Sequence, residues 1–128
     1  MTFDRSKIVT VDGDAAFRST LSIILELSGF DVVEFDRGEP ALSYAAEQTS
    51  VDLVILDWDL PASPSIGVLQ KLREQQQDIP VIIVTKEARK VCEEAALRFG
   101  PWITSKNPGD FHIAETDRTG DRRGRTQT

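Results

Sequence analysis

The sequence predicts an α/β domain built on a doubly wound, five-stranded parallel sheet, and three observations carry that expectation. Short apolar, β-branched runs alternate with segments whose apolar residues recur at helical spacing. The central run, residues 53–56 (LVIL), is apolar at every position, as expected of a parallel strand covered by helices on both faces. The runs also end in polar residues of a narrow kind: Val11 is followed by Asp12, Leu56 by Asp57 and Val84 by Thr85.

Taken in order, residues 7–11 (KIVTV) read as the first strand, and residues 15–27 place Phe17, Leu21, Ile24 and Leu25 at helical spacing. Gly29 stands where that helix stops. Residues 32–35 form a second strand, and Pro40 falls in the first turn of a helix running through Leu42, Ala45 and Ala46. After the central strand comes a Pro- and Ser-rich loop, then Ile66, Leu69 and Leu72 at helical spacing. Pro80 opens a fourth strand at residues 81–84 (VIIV), and residues 88–99 make a helix closed by Gly100. Trp102 and Ile103 are left for a brief fifth strand. Short connections between alternating strands and helices imply right-handed crossovers, which bring the strand ends to one edge, where ligands bind in such sheets.

Beyond Gly100 the pattern weakens. Residues 109–128 contain Phe111, Ile113 and Ala114 as their apolar residues, and Gly109, Gly120 and Gly124 discourage helix. The expectation is a domain over residues 1–108, a flexible tail or linker over 109–128, and a fifth helix missing or disordered.

Composition narrows the function. A chain of 128 residues with 40% hydrophobic and 28% charged residues fits one folded domain. Its net charge of −6 argues against direct nucleic-acid contact, which calls for a basic face. The N-terminus lacks a secretion signal and no apolar run reaches the ~20 residues of a membrane span, so the expectation is a cytoplasmic protein without a membrane segment. Cys92 stands alone and reads as a small buried side chain, and His112 reads as an isolated polar-tail residue.

The strand ends concentrate chemistry: Asp12 and Asp14 after the first, Asp57 and Asp59 at the third, Thr85 at the fourth. Clustered carboxylates repel one another, and a hard cation such as Mg2+ relieves that repulsion using one or two carboxylates, waters and phosphate oxygens. An Asp carboxylate so placed can attack a phosphoryl group. Thr85 could donate a hydrogen bond to that group, and Lys106, just past the fifth strand, could neutralise one of its oxygens.

Val11-Asp12, the run VDLVILDWDLP at residues 51–61, PVIIVT at residues 80–85 and the later Lys106 together resemble the receiver domains of two-component response regulators, over about residues 7–106. The resemblance implies a receiver fold of the flavodoxin-like type, a signalling module rather than an enzyme, phosphorylated by a sensor histidine kinase and able to form a homodimer. It makes Asp57 the phospho-acceptor, Thr85 the switch hydroxyl, and Lys106 the lysine that pairs with the phosphoryl group. Asp12, Asp57 and Asp59, the last through its carbonyl, would hold Mg2+.

Several positions depart from the family pattern. Gly13 replaces the second acid of the metal pocket, leaving Asp14 as a substitute; Lys86 replaces a small residue; Pro64-Ser65 replaces an Asp-Gly pair; Asn107 separates the lysine from Pro108. These departures leave open a phosphorylation-independent interaction module of the same fold. Asp57-Trp58-Asp59 also matches the short motif of haloacid-dehalogenase-like phosphohydrolases, which place it on their first strand. Read one base out of frame with suitable codons, residues 100–109 (GPWITSKNPG) encode AVDYIKKSRG, a peptide resembling the usual receiver ending, so a single-base deletion near codon 100 is an alternative origin for the tail.

Overall fold

The computed structural model describes residues 5–47, 50–61, 64–75, 78–87, 99–107, 112–116 and 122–126, the last two segments by their backbone. The elements are β1 (Lys7–Val11), α1 (Ala15–Leu27), β2 (Asp31–Phe35), α2 (Gly38–Glu47), β3 (Val51–Asp57), α3 (Ser65–Gln75), β4 (Val81–Thr85), β5 (Trp102–Ser105), β6 (His112–Thr116) and β7 (Arg122–Thr126). Strands β1 to β5 are parallel and stand in the order β2-β1-β3-β4-β5, the doubly wound sheet expected from the sequence. Of the helix expected over residues 88–99, Phe99 is described and is helical; the remainder, including Cys92, lies outside the described residues.

Strand alternation divides the core into two layers. Val9 and Val11 of β1, Val54 and Leu56 of β3, Val81 and Ile83 of β4 and Ile103 of β5 are buried in one cluster with Ala41, Leu42 and Ala45 of α2 and Val68, Leu69 and Leu72 of α3. Ile8, Ile55 and Val84 form the second layer, with Phe17, Leu21 and Leu25 of α1 packed against it. Fully burying side chains of this size contributes roughly 1.5–3 kcal/mol each, which fixes both the sheet register and the helices laid on it.

Local signals set the helix ends. The Asp14 carboxylate accepts from the N–H groups of Ala16 and Phe17 and caps α1. At the other end Gly29 adopts φ 97°, which lets its N–H reach Glu26 O at 3.0 Å and the Phe30 N–H reach Leu25 O at 3.1 Å. Among the described residues, no helix is long and apolar enough to cross a membrane.

Two further strands follow in the C-terminal segment. β6 pairs antiparallel with β5, and β7 with β6, extending the sheet to seven strands where a fifth helix would otherwise follow. The physical reason is that an antiparallel pair is made by backbone hydrogen bonds and needs few apolar side chains, and the outer edge of β5 offers unpaired backbone groups to begin it. The apolar count that excluded a packed helix was therefore no guide to strand pairing.

An acidic pocket at the carboxyl ends of the strands

The chain leaves β1 toward β2 on one side and returns to β3 on the other, so the β1/β3 boundary is a switch point with a crevice at its carboxyl end. Asp12 follows β1, Asp57 ends β3, Thr85 ends β4 and Lys106 follows β5. Asp12 and Asp57 are 2% and 3% exposed, and Thr85 is fully buried.

Lys106 unites the pocket. Its Nζ lies 2.8 Å from Asp12 Oδ2 and 3.2 Å from Asp57 Oδ1, and 4.5 Å from the centroid of the Phe17 ring. Beyond this ion pair Asp12 Oδ2 has no hydrogen-bond partner among the described residues. The backbone holds the lysine in place: its N–H donates to Thr85 O at 2.9 Å, and the Asn107 side-chain amide donates to Lys86 O at 3.0 Å.

Two carboxylates sharing one ammonium leave a net negative pocket, and the titration of its groups reflects that. Burial pushes the Asp57 carboxyl above its ordinary value; the hydrogen bond from the Asp59 N–H opposes this, the Asp12 carboxylate adds to it, and Lys106 offsets part of it. For Lys106 burial works against the charge, but contacts with Asp12 and Asp57 outweigh it and raise the ammonium above the usual lysine value.

Each acid is held by its surroundings. Asp12 Oδ1 accepts from the Asp14 N–H at 2.8 Å, and the Asp12 carbonyl accepts from the Arg18 guanidinium at 2.6 Å, while Arg18 also pairs with Glu34 at 3.2 Å. Asp57 Oδ1 accepts from the Asp59 N–H at 3.0 Å, and the buried Ser65 hydroxyl donates to the Asp57 and Trp58 carbonyls. Among the described residues no hydrogen bond or ion pair engages Asp57 Oδ2. The Thr85 hydroxyl accepts from the Glu87 N–H at 3.1 Å and lies 3.4 Å from Asp59 Oδ2, to which it donates.

The structure thus brings Asp12, Asp57, Thr85 and Lys106 together with the turn that carries Asp59. Asp14 is not among them: it is exposed, and its carboxylate is committed to capping α1. In this geometry Asp14 stands apart from the pocket, and its part in holding a cation is a matter for titration. Lys86 is exposed. No site role was legible in the sequence for Arg18, Phe17 or Ser65; Arg18 lies one helical turn past the cap and Ser65 stood out as a departure, but their partners lie in other elements.

The Asp12 and Asp57 carboxylates are the two buried acids gathered here. Two carboxylates suit Mg2+, which keeps waters and takes phosphate oxygens for its other positions. Among the described residues there is no group of three or more His, Cys, Asp or Glu able to hold a metal. A Cβ at Gly13 would lie 3.0 Å from Pro61 Cδ, so the loop after β3 leans into the space beside this glycine.

Comparison with known proteins bears on the family and the fold. The chain is 34% identical over 94 residues to the alkaline phosphatase synthesis transcriptional regulatory protein PhoP of Bacillus subtilis, covering 73% of this chain and 39% of that protein. It is 35% identical over 95 residues to the transcriptional regulatory protein CpxR of Escherichia coli, covering 74% and 40%. The chain therefore matches about two fifths of these relatives' length. Its fold matches chemotaxis protein CheY4 of Vibrio cholerae (TM-score 0.72, 20% identity, 83% of this chain and 88% of that one). It equally matches response regulator TrrA of Thermotoga maritima in complex with Mg2+-BeF (TM-score 0.72, 23% identity, 81% and 89%). With the response regulator receiver domain family matching residues 8–102, and the pocket formed at the strand ends where the sequence predicts it, the chain belongs to the receiver domains of two-component response regulators.

Proposed function

We propose that Asp57 accepts a phosphoryl group from the phosphohistidine of a sensor histidine kinase. The observation that carries this reading is the Asp57 carboxylate itself: buried at the end of the central strand, it has Oδ1 held by Lys106 and the Asp59 N–H and Oδ2 unengaged among the described residues. Oδ2 is the nucleophile. It forms a bond to phosphorus as the phosphorus–nitrogen bond of the donor breaks, and that electron pair leaves on the imidazole nitrogen, which takes up a proton. Lys106 pairs with a phosphoryl oxygen of the product, and the Thr85 hydroxyl turns to donate to another.

Asp12, Asp57 and the Asp59 carbonyl would hold Mg2+, which supplies charge neutralisation and alignment when bound. Asp12 keeps Lys106 directed at the acceptor when the carboxylate is unmodified. We read the chain as a cytoplasmic signalling module rather than an enzyme, with residues 1–108 as the receiver unit and the segment from 109 appended to it. Ile23, Ile24 and Leu27 are exposed on α1, an apolar face suited to a homodimer, and the acidity disfavours direct contact with nucleic acid.

Incubation with a small phosphodonor and Mg2+, followed by intact-mass measurement, tests the reading. The expected result is one phosphoryl adduct on the native protein and none on Asp57→Asn. Equal labelling of the two moves the acceptor elsewhere, and no labelling of either replaces it with a phosphorylation-independent interaction module.

A further inference from the structure

Ser65, 3% exposed at the first residue of α3, has no part in the chemistry described so far. Its hydroxyl lies 2.7 Å from the carbonyl oxygen of Asp57 and 2.9 Å from that of Trp58, so one O–H is shared between the carbonyls of two successive residues. The remaining polar groups of these two peptide units are also paired: the Trp58 N–H donates to Val84 O at 2.9 Å, and the Asp59 N–H to Asp57 Oδ1 at 3.0 Å. The backbone that follows the acceptor carboxylate is therefore accounted for group by group, and Ser65 serves both of its acceptors.

The anchor behind Ser65 is packed into the core. Val68, Leu69 and Leu72 bury one face of α3 in the core, and the Gly67 N–H donates to Pro64 O at 3.1 Å in the first turn. A hydroxyl on such a base fixes peptide planes to within the small tolerances that an in-line displacement needs. The tilt of these planes sets where the Asp57 carboxylate and the Asp59 carbonyl point.

We propose that Ser65 is a positioning residue for phosphoryl acceptance, its hydroxyl aiming the acceptor carboxylate by fixing the two peptide units after Asp57. This rests on Asp57 as the acceptor. Ser65 touches no reacting atom and acts through the backbone of residues 57–59.

The test compares the native protein with Ser65→Ala, Ser65→Gly and Ser65→Thr, measuring aspartyl-phosphate formation at fixed donor and saturating Mg2+ per folded molecule, with the folded fraction set by circular dichroism. Ser65→Ala and Ser65→Gly should each react about tenfold more slowly, and Ser65→Thr, which keeps the hydroxyl, should recover at least half of the native rate. Two non-hydroxyl variants guard against one failing to fold. Native-like rates per folded molecule in either of them overturn the proposal, as does a folded threonine variant no faster than alanine. A native protein that takes no label overturns the acceptor reading itself, and this inference with it.

Discussion

Replacing Lys106 with methionine removes a cation that lies between two buried carboxylates, and its effect on stability should depend on pH in a predictable direction. Breaking a buried ion pair by deleting one partner costs about 3–5 kcal/mol, and with two carboxylates losing the same ammonium a loss of roughly 4 kcal/mol is expected at pH 8. The folded variant can recover part of this by taking up a proton, because a carboxyl left buried without a cation neutralises rather than stays charged. Asp57 is the group that takes it, since burial already holds its carboxyl above the ordinary value of 3.8. A group raised in the folded state binds protons that the unfolded chain does not, so stability increases as pH falls through the folded value toward 3.8. Lys106, whose own value is raised, contributes its stabilisation fully below 10.5 and loses it only above that, so it adds no slope between pH 5 and 8 in the native protein. Below the folded value the extra proton is held by the folded variant and not by the unfolded chain, so the deficit of Lys106→Met should be smaller at pH 5.5 than at pH 8. Urea unfolding at both pH values, with the native protein as reference, measures it. A variant as stable as the native protein, or a deficit of equal size at both pH values, would refute the reasoning.

Three further outcomes follow from the same geometry. Asp57→Asn should remove the cost of burying this carboxylate charge and raise stability at pH 7, with the gain fading as pH falls toward 3.8, as thermal unfolding across that range would register. Asp14→Ala should cost about 1 kcal/mol through loss of the α1 cap yet leave Mg2+ half-saturation, read from Trp58 fluorescence, unchanged; a tenfold weakening would mean that Asp14 leaves the cap to bind the ion. Gly13→Asp should tighten Mg2+ by roughly tenfold, with Pro61 giving way by a few tenths of an ångström, and adding Pro61→Ala should tighten it further; no gain in either variant would place the cation away from residue 13.

The sheet and its pocket were legible in the sequence because each rests on a local signal. Continuous apolarity marked β3 as central, and the polar residue at each strand end marked the edge where ligands gather. Asp14 was ambiguous in the sequence because an acid three residues past a strand end suits a helix cap and a metal site equally; in the structure its carboxylate takes the Ala16 and Phe17 N–H groups. β6 and β7 were missed because backbone pairing leaves little trace in composition. The role of Ser65 became visible when α3 brought its hydroxyl against a strand end eight residues earlier in the chain. The segment past Gly100 nevertheless supplies β5 and Lys106 in register, whichever reading frame its origin lies in.

Locating the phosphoryl group chemically tests the account most directly. After phosphorylation with Mg2+ and a small donor, borohydride reduces an aspartyl phosphate to homoserine, and sequencing of the peptides by mass spectrometry reads its position. Homoserine at position 57, absent when Mg2+ is chelated, is the result that Asp57 as acceptor predicts. Homoserine at position 12 or 59, or none at any Mg2+ concentration, would contradict it.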